Sequence, residues 1–215
     1  LHAATAIYTR EPVVDDLLDA VDWPRGKRRL VDPSCGDGVF LGRALVRLLR
    51  EEPDIDGDTL LDVLQGWELH PGAAQHSRER VAEILEEHGW CSTMAAELAA
   101  RLVRQADFLT QGPTAPYCHV IAGNPPYLRW ANVPALLREE YAAALPPHAV
   151  ADLLHSFLDR CSAALLPDGE VALVTADRWL FNLGASKLRE AIGKRLAIDH
   201  LRRLDPSTTF YRPKD

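Results

Sequence analysis

The alternation of short apolar segments with longer amphipathic ones constrains the fold of this chain more than any other feature. Apolar runs of strand length occupy the segments 28–32, 62–69, 118–123 and 167–176, with a weaker one entering residue 106. Apolar residues recur at helical spacing in the segments 13–21, 39–52, 71–89, 93–103, 134–145, 151–166 and 185–196. This order predicts an α/β protein with a doubly wound, mostly parallel sheet covered by helices on both faces. A polar loop over 53–58 and a last strand over 197–204 complete the prediction.

Composition limits the kinds of site that the chain can form. The 215 residues suit one α/β domain, and no apolar run approaches the roughly 20 residues of a membrane-spanning helix. The four cysteines include no C-x-x-C pair and the eight histidines no H-E-x-x-H spacing, so we expect no metal and a cytoplasmic setting. The formal net charge is −7, whereas a domain that holds nucleic acid by itself is usually basic. Either nucleic acid is not the substrate, or another domain or subunit supplies most phosphate contacts.

Polar side chains follow the predicted strands at the points where the strands end. Asp32, Glu68, Asp107 and Asn124 each close a strand or come shortly after one. The carboxyl ends of parallel strands meet at one edge of a sheet, and the ligands of such sheets bind in the crevice outside that edge. We therefore expect these four residues to lie in one binding site.

The turn D-P-S-C-G-D-G-V-F-L-G, residues 32–42, has the composition of a ligand-binding loop. Gly36 and Gly38 let the backbone approach a ligand closely at the start of a helix. The third glycine of a nicotinamide-dinucleotide motif is displaced to Gly42, and Asp32 would repel a pyrophosphate while attracting a cation. The alternative is an ordinary strand-to-helix turn.

Residues at the next two strand ends suit a nucleoside. Glu68 can accept hydrogen bonds from both hydroxyls of a ribose, although a solvated glutamate is an equal alternative. Asp107 can accept a hydrogen bond from a purine amine and Phe108 can stack on the ring, although Phe108 alone is more typical of a hydrophobic core. A nucleoside pocket beside a turn that attracts cations fits S-adenosylmethionine, an adenosine that bears a sulfonium.

The segment V-I-A-G-N-P-P-Y-L-R-W, residues 120–130, ends a strand in an unusual way. Pro125 and Pro126 fix φ and remove two backbone donors, so the loop is stiff and its carbonyl groups point outward. The amide of Asn124 and the ring of Tyr127 flank the two prolines. Together these groups can grip a planar group that bears an amine.

Six segments occur in the order seen in γ-class DNA adenine-N6 methyltransferases. They are YTREPVVDDLL, DPSCGDGVFL, WELHPGA, ADFL, GNPPY and DRWLFNLGASKLRE, within residues 8–203. The chain therefore resembles this class of the N-6 DNA methylase family, whose NPPY motif is matched by residues 124–127. The resemblance implies a Rossmann-like, S-adenosylmethionine-dependent fold and a bacterial, cytoplasmic enzyme. Its substrate would be a flipped-out adenine in double-stranded DNA, within a restriction-modification or phage-defence system.

The resemblance also implies a catalytic group in the NPPY loop. The Asn124 side chain and the Pro125 carbonyl would accept hydrogen bonds from the exocyclic amine of the target base. Tyr127 would stack on that base, and Pro126 completes the motif. Two acceptors on the amine favour a pyramidal nitrogen and stabilise its developing positive charge.

The cofactor contacts implied by the resemblance fall in four groups. The segment at Thr9 and the glycine turn would meet the methionine end of the cofactor, and Asp32 its amino group. Glu68 would bind the ribose, and Asp107 with Phe108 the adenine. The full cofactor-binding set is Tyr8, Thr9, Asp32, Pro33, Ser34, Cys35, Gly36, Gly38, Phe40, Glu68, Leu69, Asp107, Phe108 and Asn124.

The chain departs from the family in two respects. The aromatic residue that holds the second face of the flipped base in family members falls here near Gly184 and Ala185, so Phe181 or Trp179 would have to replace it, unless both pack in the core. Family members also carry a separate recognition domain. We therefore expect residues 1–215 to be a single catalytic domain, truncated before the end of the sheet, with most DNA backbone contacts made by a missing domain or a partner subunit.

Two other functions are compatible with the same motifs. Methylation of RNA or of a protein glutamine amide would use the same loop, because these substrates also present an NH₂ group. A third possibility is a cofactor-binding module within a larger defence complex. The intact NPPY motif and the paired acidic residues Asp32 and Glu68 argue against a module that has lost catalysis.

Overall fold

A five-stranded parallel sheet forms the centre of the computed structural model, which describes residues 8–211. Its strands are β2 (Leu30–Asp32), β3 (Leu64–Glu68), β4 (Val103–Gln105), β5 (Cys118–Gly123) and β6 (Leu165–Leu173). Their order across the sheet is β4-β3-β2-β5-β6, and every neighbouring pair is parallel. Two short strands, β1 (Tyr8–Thr9) and β7 (Phe210–Tyr211), form a separate antiparallel pair. The predicted mostly parallel α/β architecture is confirmed.

Helices connect the strands and cover both faces of the sheet. They are α1 (Glu11–Ala20), α2 (Val39–Glu51), α3 (Gly57–Val63), α4 (Pro71–Glu87), α5 (Ser92–Leu102), α6 (Phe108–Gln111), α7 (Ala135–Ala144), α8 (Leu153–Ala164), α9 (Arg178–Phe181), α10 (Ser186–Gly193) and α11 (Pro206–Thr209). The helices predicted from apolar spacing are confirmed as α1, α2, α4, α5, α7, α8 and α10. In the described residues, no helix is both long enough and apolar enough to cross a lipid bilayer.

Alternate residues of the central strands supply two separate cores. Leu30 and Val120 pack in one buried cluster with side chains of α1, α2, α4 and α5. Val31 and Ile121 pack in the other, with side chains of α7 and α8. Successive side chains of a strand point to opposite faces, so a strand covered on both faces is apolar throughout. This is why the sequence shows continuous apolar runs rather than alternation.

Two predicted elements differ in the structure. The polar loop at 53–58 ends early because Asp56 caps α3, its Oδ1 accepting a hydrogen bond from the backbone N–H of Thr59 at 2.9 Å. The strand predicted at 197–204 is wrong, since this segment pairs with no strand among residues 8–211. Ile198 and Leu201 are 62% and 69% exposed. An apolar pattern makes a strand only where a neighbouring strand accepts its hydrogen bonds.

The strand order places a binding crevice between β2 and β5. From β2 the chain proceeds to β3 and β4 on one side, and then returns to β5 and β6 on the other. Loops that leave the carboxyl ends of two such strands diverge, and the gap between them is the usual ligand site of an open α/β sheet. The glycine turn follows β2 and the NPPY loop follows β5, so the two loops border the same gap.

Candidate functional site

A cleft of about 260 Å³ opens at the carboxyl ends of β2, β3 and β5. It brings together many of the predicted site residues, namely Thr9, Pro33, Ser34, Cys35, Gly36, Phe40, Glu68, Leu69, Asp107, Phe108, Asn124 and Pro126. Residues that are up to 117 positions apart in sequence therefore meet in one cavity, because the parallel strands end at a common edge.

The glycine turn is held in place by backbone contacts. Gly36 and Gly38 have φ of +56° and +84°, values that favour glycine. A Cβ on Gly38 would lie 2.6 Å from Ser77 Oγ, so α2 and α4 approach each other closely at this point. The N–H of Cys35 donates to the carbonyl of Trp67 at 2.8 Å, which ties the turn to β3. Gly38 lies behind the cleft and supports the turn without lining the cavity.

Asp32 lies beneath the turn and is 1% exposed. Its Oδ1 accepts a hydrogen bond from the N–H of Ser34 at 3.1 Å, whereas its Oδ2 has no hydrogen-bond partner in the described part of the chain. Burial, together with the nearby carboxylates of Glu68 and Asp37, raises the pKa of Asp32 to about 8, although the hydrogen bond from Ser34 favours the charged form. A Cβ on Gly123 would lie 2.6 Å from Asp32 Oδ1, so the carboxyl group packs directly against the end of β5.

Thr9 presents a buried oxygen at the cleft, whereas Asp32 lies beneath the turn and does not line the cavity. Thr9 is 3% exposed, and its Oγ1 has no hydrogen-bond partner among residues 8–211. A buried hydroxyl or carboxyl oxygen without a partner is destabilising, and a bound ligand can supply the missing partner. Thr9 belongs to β1, and Tyr8 precedes it in the same strand; the side chain of Tyr8 is outside the described part of the structure.

Glu68 forms one wall of the cleft in a fixed orientation. Its Oε2 accepts from the N–H of Gly36 at 3.0 Å and its Oε1 from the N–H of His70 at 2.7 Å. Burial raises the pKa of Glu68 above its usual range, although both backbone donors favour the charged form. A carboxylate can accept about four hydrogen bonds, so each oxygen retains capacity for a ligand hydroxyl.

Asp107 and Phe108 begin α6 at the far end of the cleft. Asp107 Oδ1 accepts from the N–H of Leu109 at 2.8 Å, which caps the helix, and Oδ2 accepts from the Tyr141 hydroxyl at 2.8 Å. Phe108 is 2% exposed and lies between Trp67, edge-on at 5.7 Å, and Phe157, stacked at 6.2 Å. Phe108 is thus a core residue that also lines the cleft. Packing in the core therefore does not exclude a role in stacking on a purine.

The NPPY loop closes the side of the cleft at β5. Asn124 and Pro126 line the cavity, while Pro125 is buried behind them. The Tyr127 hydroxyl contacts Asn124 Oδ1 and lies 2.7 Å from the carbonyl oxygen of Val174. Burial raises the pKa of Tyr127. Its ring packs beside a small apolar cluster and is not part of the cleft lining.

Eight residues of the cleft were not among the predicted site residues, although five of them lie in the segments 32–42, 67–73 and 106–109. The cavity is also lined by Asp37, Val39, His70, Pro71, Ala106, Tyr141, Leu153 and Phe157. Tyr141 and Phe157 occupy the apolar faces of α7 and α8, where a helical pattern indicates burial but not proximity to a ligand. No group of three His, Cys, Asp or Glu side chains within residues 8–211 is arranged to hold a metal ion.

The two aromatic residues considered for the second face of the base, Trp179 and Phe181, have different surroundings. Ala185 is fully buried, and Trp179 packs beside the cluster that contains Leu188. Phe181 is 72% exposed, so core packing is wrong for this residue.

Residues 96–210, more than half of the chain, match the family of Eco57I restriction-modification methylases. The chain belongs to this family. The Type II methyltransferase M.PaeR7I of Pseudomonas aeruginosa is 34% identical over 208 residues, which cover 92% of this chain and 36% of that protein. The chain spans 31–39% of the length of the curated relatives that it matches.

Solved structures related to this Eco57I-family chain share its fold. The M protein of the Type I restriction enzyme EcoKI superposes with a TM-score of 0.62 at 22% identity, over 85% of this chain and 36% of that one. A Listeria monocytogenes protein described as a class I S-adenosylmethionine-dependent methyltransferase superposes with a TM-score of 0.56 at 17% identity, over 86% of this chain and 50% of that one. The predicted Rossmann-like methyltransferase fold is confirmed.

Proposed function

We propose that this chain transfers a methyl group from S-adenosylmethionine to the exocyclic N6 of an adenine in DNA, as the modification part of a restriction-modification system. Membership of the Eco57I restriction-modification methylase family supports this function. The observation that carries it is the position of two loops. The NPPY loop after β5 and the glycine turn after β2 line the same cleft. That arrangement brings an amine-binding loop next to a nucleoside pocket.

The residues of the cleft fit S-adenosylmethionine. The buried, unpaired Asp32 Oδ2 and Thr9 Oγ1 are acceptors that lack partners among the described residues. An ammonium group near Asp32 would compensate the cost of its buried charge. Glu68 is oriented by two backbone donors for the ribose hydroxyls, and Asp107 is oriented by Tyr141 for the adenine amine.

The chemistry required of the protein is to hold and polarise an amine. The cofactor, when bound, supplies an electrophilic methyl group on a positively charged sulfur. Asn124 Oδ1 and the Pro125 carbonyl accept hydrogen bonds from the two N–H groups of the base, which stabilises positive charge on the nitrogen. Asn124 and Pro125 would thus present the amine nitrogen to that methyl group, and the proton that the nitrogen loses would pass to water. No general base of high pKa is needed.

The target base has to leave the duplex to reach this loop. An adenine amine inside a helix is paired and stacked, so enzymes that modify it extrude the nucleotide into a pocket. In the structure, the Tyr127 hydroxyl already occupies one acceptor position of Asn124 Oδ1. An amide oxygen has two lone pairs, so an incoming amine can share this oxygen or replace the hydroxyl.

We also propose that residues 1–215 act as one catalytic domain and that most contacts to the DNA backbone come from outside this chain. The net charge of −7 supports this arrangement, because phosphate binding depends on Lys and Arg.

Methyl transfer by the complete encoded protein tests the proposed function. Labelled S-adenosylmethionine is incubated with duplex DNA, tRNA and a glutamine-containing protein in parallel, and the labelled nucleoside is identified after digestion. We expect label in N6-methyladenine from DNA. Label in RNA or protein alone, or cofactor binding without transfer, would overturn the proposal.

Substitution of Asn124 tests the loop separately. Asn124→Ala should lower the rate of methyl transfer by about 10²–10³-fold, because one of the two acceptors of the amine is removed. The Kd for the cofactor should change by less than about threefold. The control is Asn132→Ala, which removes an exposed amide nearby and should leave both quantities unchanged. A large loss of cofactor affinity in Asn124→Ala would mean that the loop has been assigned the wrong role.

A further inference from the structure

A hydrogen bond between two buried side chains, Tyr141 and Asp107, borders the cleft. Tyr141 is 2% exposed on α7, and Asp107 is 8% exposed just before α6. The Tyr141 hydroxyl lies 2.8 Å from Asp107 Oδ2, and both residues line the cavity. Burial and the nearby Asp107 carboxylate raise the pKa of Tyr141, so the phenol keeps its proton at neutral pH. The hydroxyl therefore donates and the carboxylate accepts.

Asp107 is held by two donors that come from different elements. Its Oδ1 accepts from the backbone N–H of Leu109, in the helix that Asp107 caps, at 2.8 Å. Its Oδ2 accepts from Tyr141, 34 positions further along the chain. The terminal torsion of an Asp side chain is soft, so a carboxylate with one donor can turn about its Cβ–Cγ bond. Tyr141 thus supplies the second contact that fixes the plane of the carboxylate.

Arg160 holds the two elements at a constant separation. It is 6% exposed on α8, and its Nη2 donates to the carbonyl oxygen of Leu109 at 2.5 Å and to that of Ala144 at 3.5 Å. Leu109 lies in α6, which begins after the Asp107 cap. Ala144 is the last residue of α7, the helix of Tyr141. One buried guanidinium group therefore joins the two helices, so packing holds the hydroxyl and the carboxylate together in addition to their own hydrogen bond.

The direction of this hydrogen bond limits what a ligand can offer to the pair. The single proton of the Tyr141 hydroxyl is donated to Asp107, so the oxygens of both side chains can only accept hydrogen bonds from a ligand. The exocyclic amine of adenine is a donor, whereas a purine with hydrogen at C6 would leave the remaining lone pairs without one. A buried site built to bind an N–H group rejects an analogue that lacks it. The pair therefore favours a purine with an amino group at C6.

We propose that Tyr141 makes the cleft selective for a 6-aminopurine by fixing the orientation of the Asp107 carboxylate. This inference rests on the proposed function, which places the adenine of the cofactor beside Asp107. Tyr141 is a positioning residue in this account, because it acts through Asp107 and lies outside the loop that holds the target amine. Its contribution should appear in recognition of the cofactor and not in the rate of the chemical step.

Binding of two matched ligands to the complete encoded protein tests this role. One ligand is S-adenosylhomocysteine, and the other is its analogue with hydrogen in place of the 6-amino group. Isothermal titration calorimetry should give a Kd for S-adenosylhomocysteine about 10–100-fold below that for the analogue, since a hydrogen bond to a charged group is at stake. Tyr141→Phe should lower this ratio of Kd values about tenfold by weakening S-adenosylhomocysteine alone. An unchanged Kd for the analogue shows that the cleft keeps its shape.

Tyr117→Phe is the matched control. The Tyr117 hydroxyl lies 3.4 Å from Gln65 Oε1, and the residue precedes β5 at the end of the sheet away from the cleft. Its loss should leave both Kd values unchanged. A ratio in Tyr141→Phe equal to that of the unmodified protein would overturn the proposal. An equal loss of affinity for both ligands would also overturn it, because the hydroxyl would then serve the fold alone.

A double-mutant cycle tests whether Tyr141 acts through Asp107. In an Asp107→Asn background, Tyr141→Phe should change the ratio of Kd values less than twofold, because the group that Tyr141 orients is already altered. A tenfold change in that background would show that Tyr141 acts on the ligand by another route, contrary to the proposal.

Steady-state kinetics separate positioning of the cofactor from catalysis. Tyr141→Phe should raise the KM for S-adenosylmethionine about tenfold and leave kcat for methyl transfer to DNA within twofold of the unmodified protein. A fall in kcat at an unchanged KM would place Tyr141 in the chemical step and contradict the proposed role.

The outcomes distinguish this inference from the proposed function. Methyl transfer to DNA adenine with an unchanged ratio of Kd values in Tyr141→Phe overturns the role of Tyr141 alone. A reduced ratio in a protein that transfers no methyl group supports Tyr141 and overturns the methyltransferase activity. Absence of any binding of S-adenosylhomocysteine overturns both.

Discussion

If the cofactor binds beside the unpaired oxygen of Asp32, as proposed, its affinity should depend on pH. With a pKa of about 8, this carboxyl group is mostly protonated at pH 6 in the free protein. The amino group of the cofactor, by contrast, is still a cation below its usual pKa of about 7.7–8.0. An ion pair between them requires the carboxyl group to lose its proton, so binding should release a proton between pH 6 and 7.

The affinity for S-adenosylhomocysteine should therefore rise about tenfold from pH 6 to 7, the increase expected for one proton released from a group with a pKa near 8. Isothermal titration calorimetry in buffers of different ionisation enthalpy measures both affinity and proton release. Asp32→Asn should bind more weakly and lose this pH dependence. The control Asp58→Asn, at an exposed carboxylate of α3, should behave as the unmodified protein. A pH dependence that survives in Asp32→Asn would assign the proton to another group.

The same pKa affects the stability of the free protein. The pKa of Asp32 is raised on folding, from 3.8 to about 8, so the folded state binds the proton more tightly than the unfolded state. The contribution of Asp32 to the free energy of unfolding is most favourable below pH 4 and is lost as the pH rises through 8. Near neutral pH the buried carboxyl group therefore stays mostly protonated at a cost in stability, and a cationic ligand that favours its charged form can offset this cost.

At the scale of elements, the turn between β2 and α2 forms one wall of the cleft. Gly38 is restricted both by its positive φ and by the proximity of Ser77 on α4. Gly26 also has a positive φ, of +71°, but a Cβ there would meet no atom within 4 Å. A substitution at Gly26 therefore reports backbone strain alone, whereas one at Gly38 reports backbone strain and steric overlap together.

Gly38→Ala should lower the free energy of unfolding by about 2–5 kcal/mol, the sum of left-handed strain and overpacking. Gly26→Ala should cost only the strain, about 1–2 kcal/mol. Urea unfolding of both variants measures the difference. Equal losses would show that Ser77 moves away without a cost in stability.

The elements also show which predictions a pattern can support. α2, α4 and α8 have apolar residues at helical spacing, and local spacing is sufficient for such helices. The segment 197–204 has a similar apolar content, yet it remains unpaired in the described structure because a strand also requires a neighbour. α6 was missed, since its four residues are defined by the cap at Asp107 rather than by a period.

At the scale of the whole molecule, the cleft joins parts of the chain that fold into different layers. Its lining extends from Thr9 in β1 to Phe157 in α8, and it includes residues that follow β2, β3 and β4. A ligand in this position contacts both cores of the protein. Binding should therefore stabilise the entire fold against unfolding.

S-Adenosylhomocysteine at 100 times its Kd should stabilise the folded state by about 2.7 kcal/mol. For a chain of this size, that corresponds to a rise of about 5–11 °C in Tm. Differential scanning calorimetry measures the shift, with adenosine at the same concentration as the control. A shift of less than about 2 °C at a saturating concentration would mean that the cleft is not the main site of the cofactor.

The sequence by itself determined the fold class, most helices and strands, and the identity of the polar residues at the strand ends. These features depend on local periodicity and on the types of residue that end a strand, and both can be read along the chain. Only the tertiary structure decided the state of those residues. The unpaired Asp32 oxygen, the hydrogen bond from Tyr141 to Asp107, and the exposure of Phe181 all depend on groups that are distant in sequence. The burial of a side chain and its hydrogen-bond partners depend on how the whole molecule packs, so no local pattern can encode them.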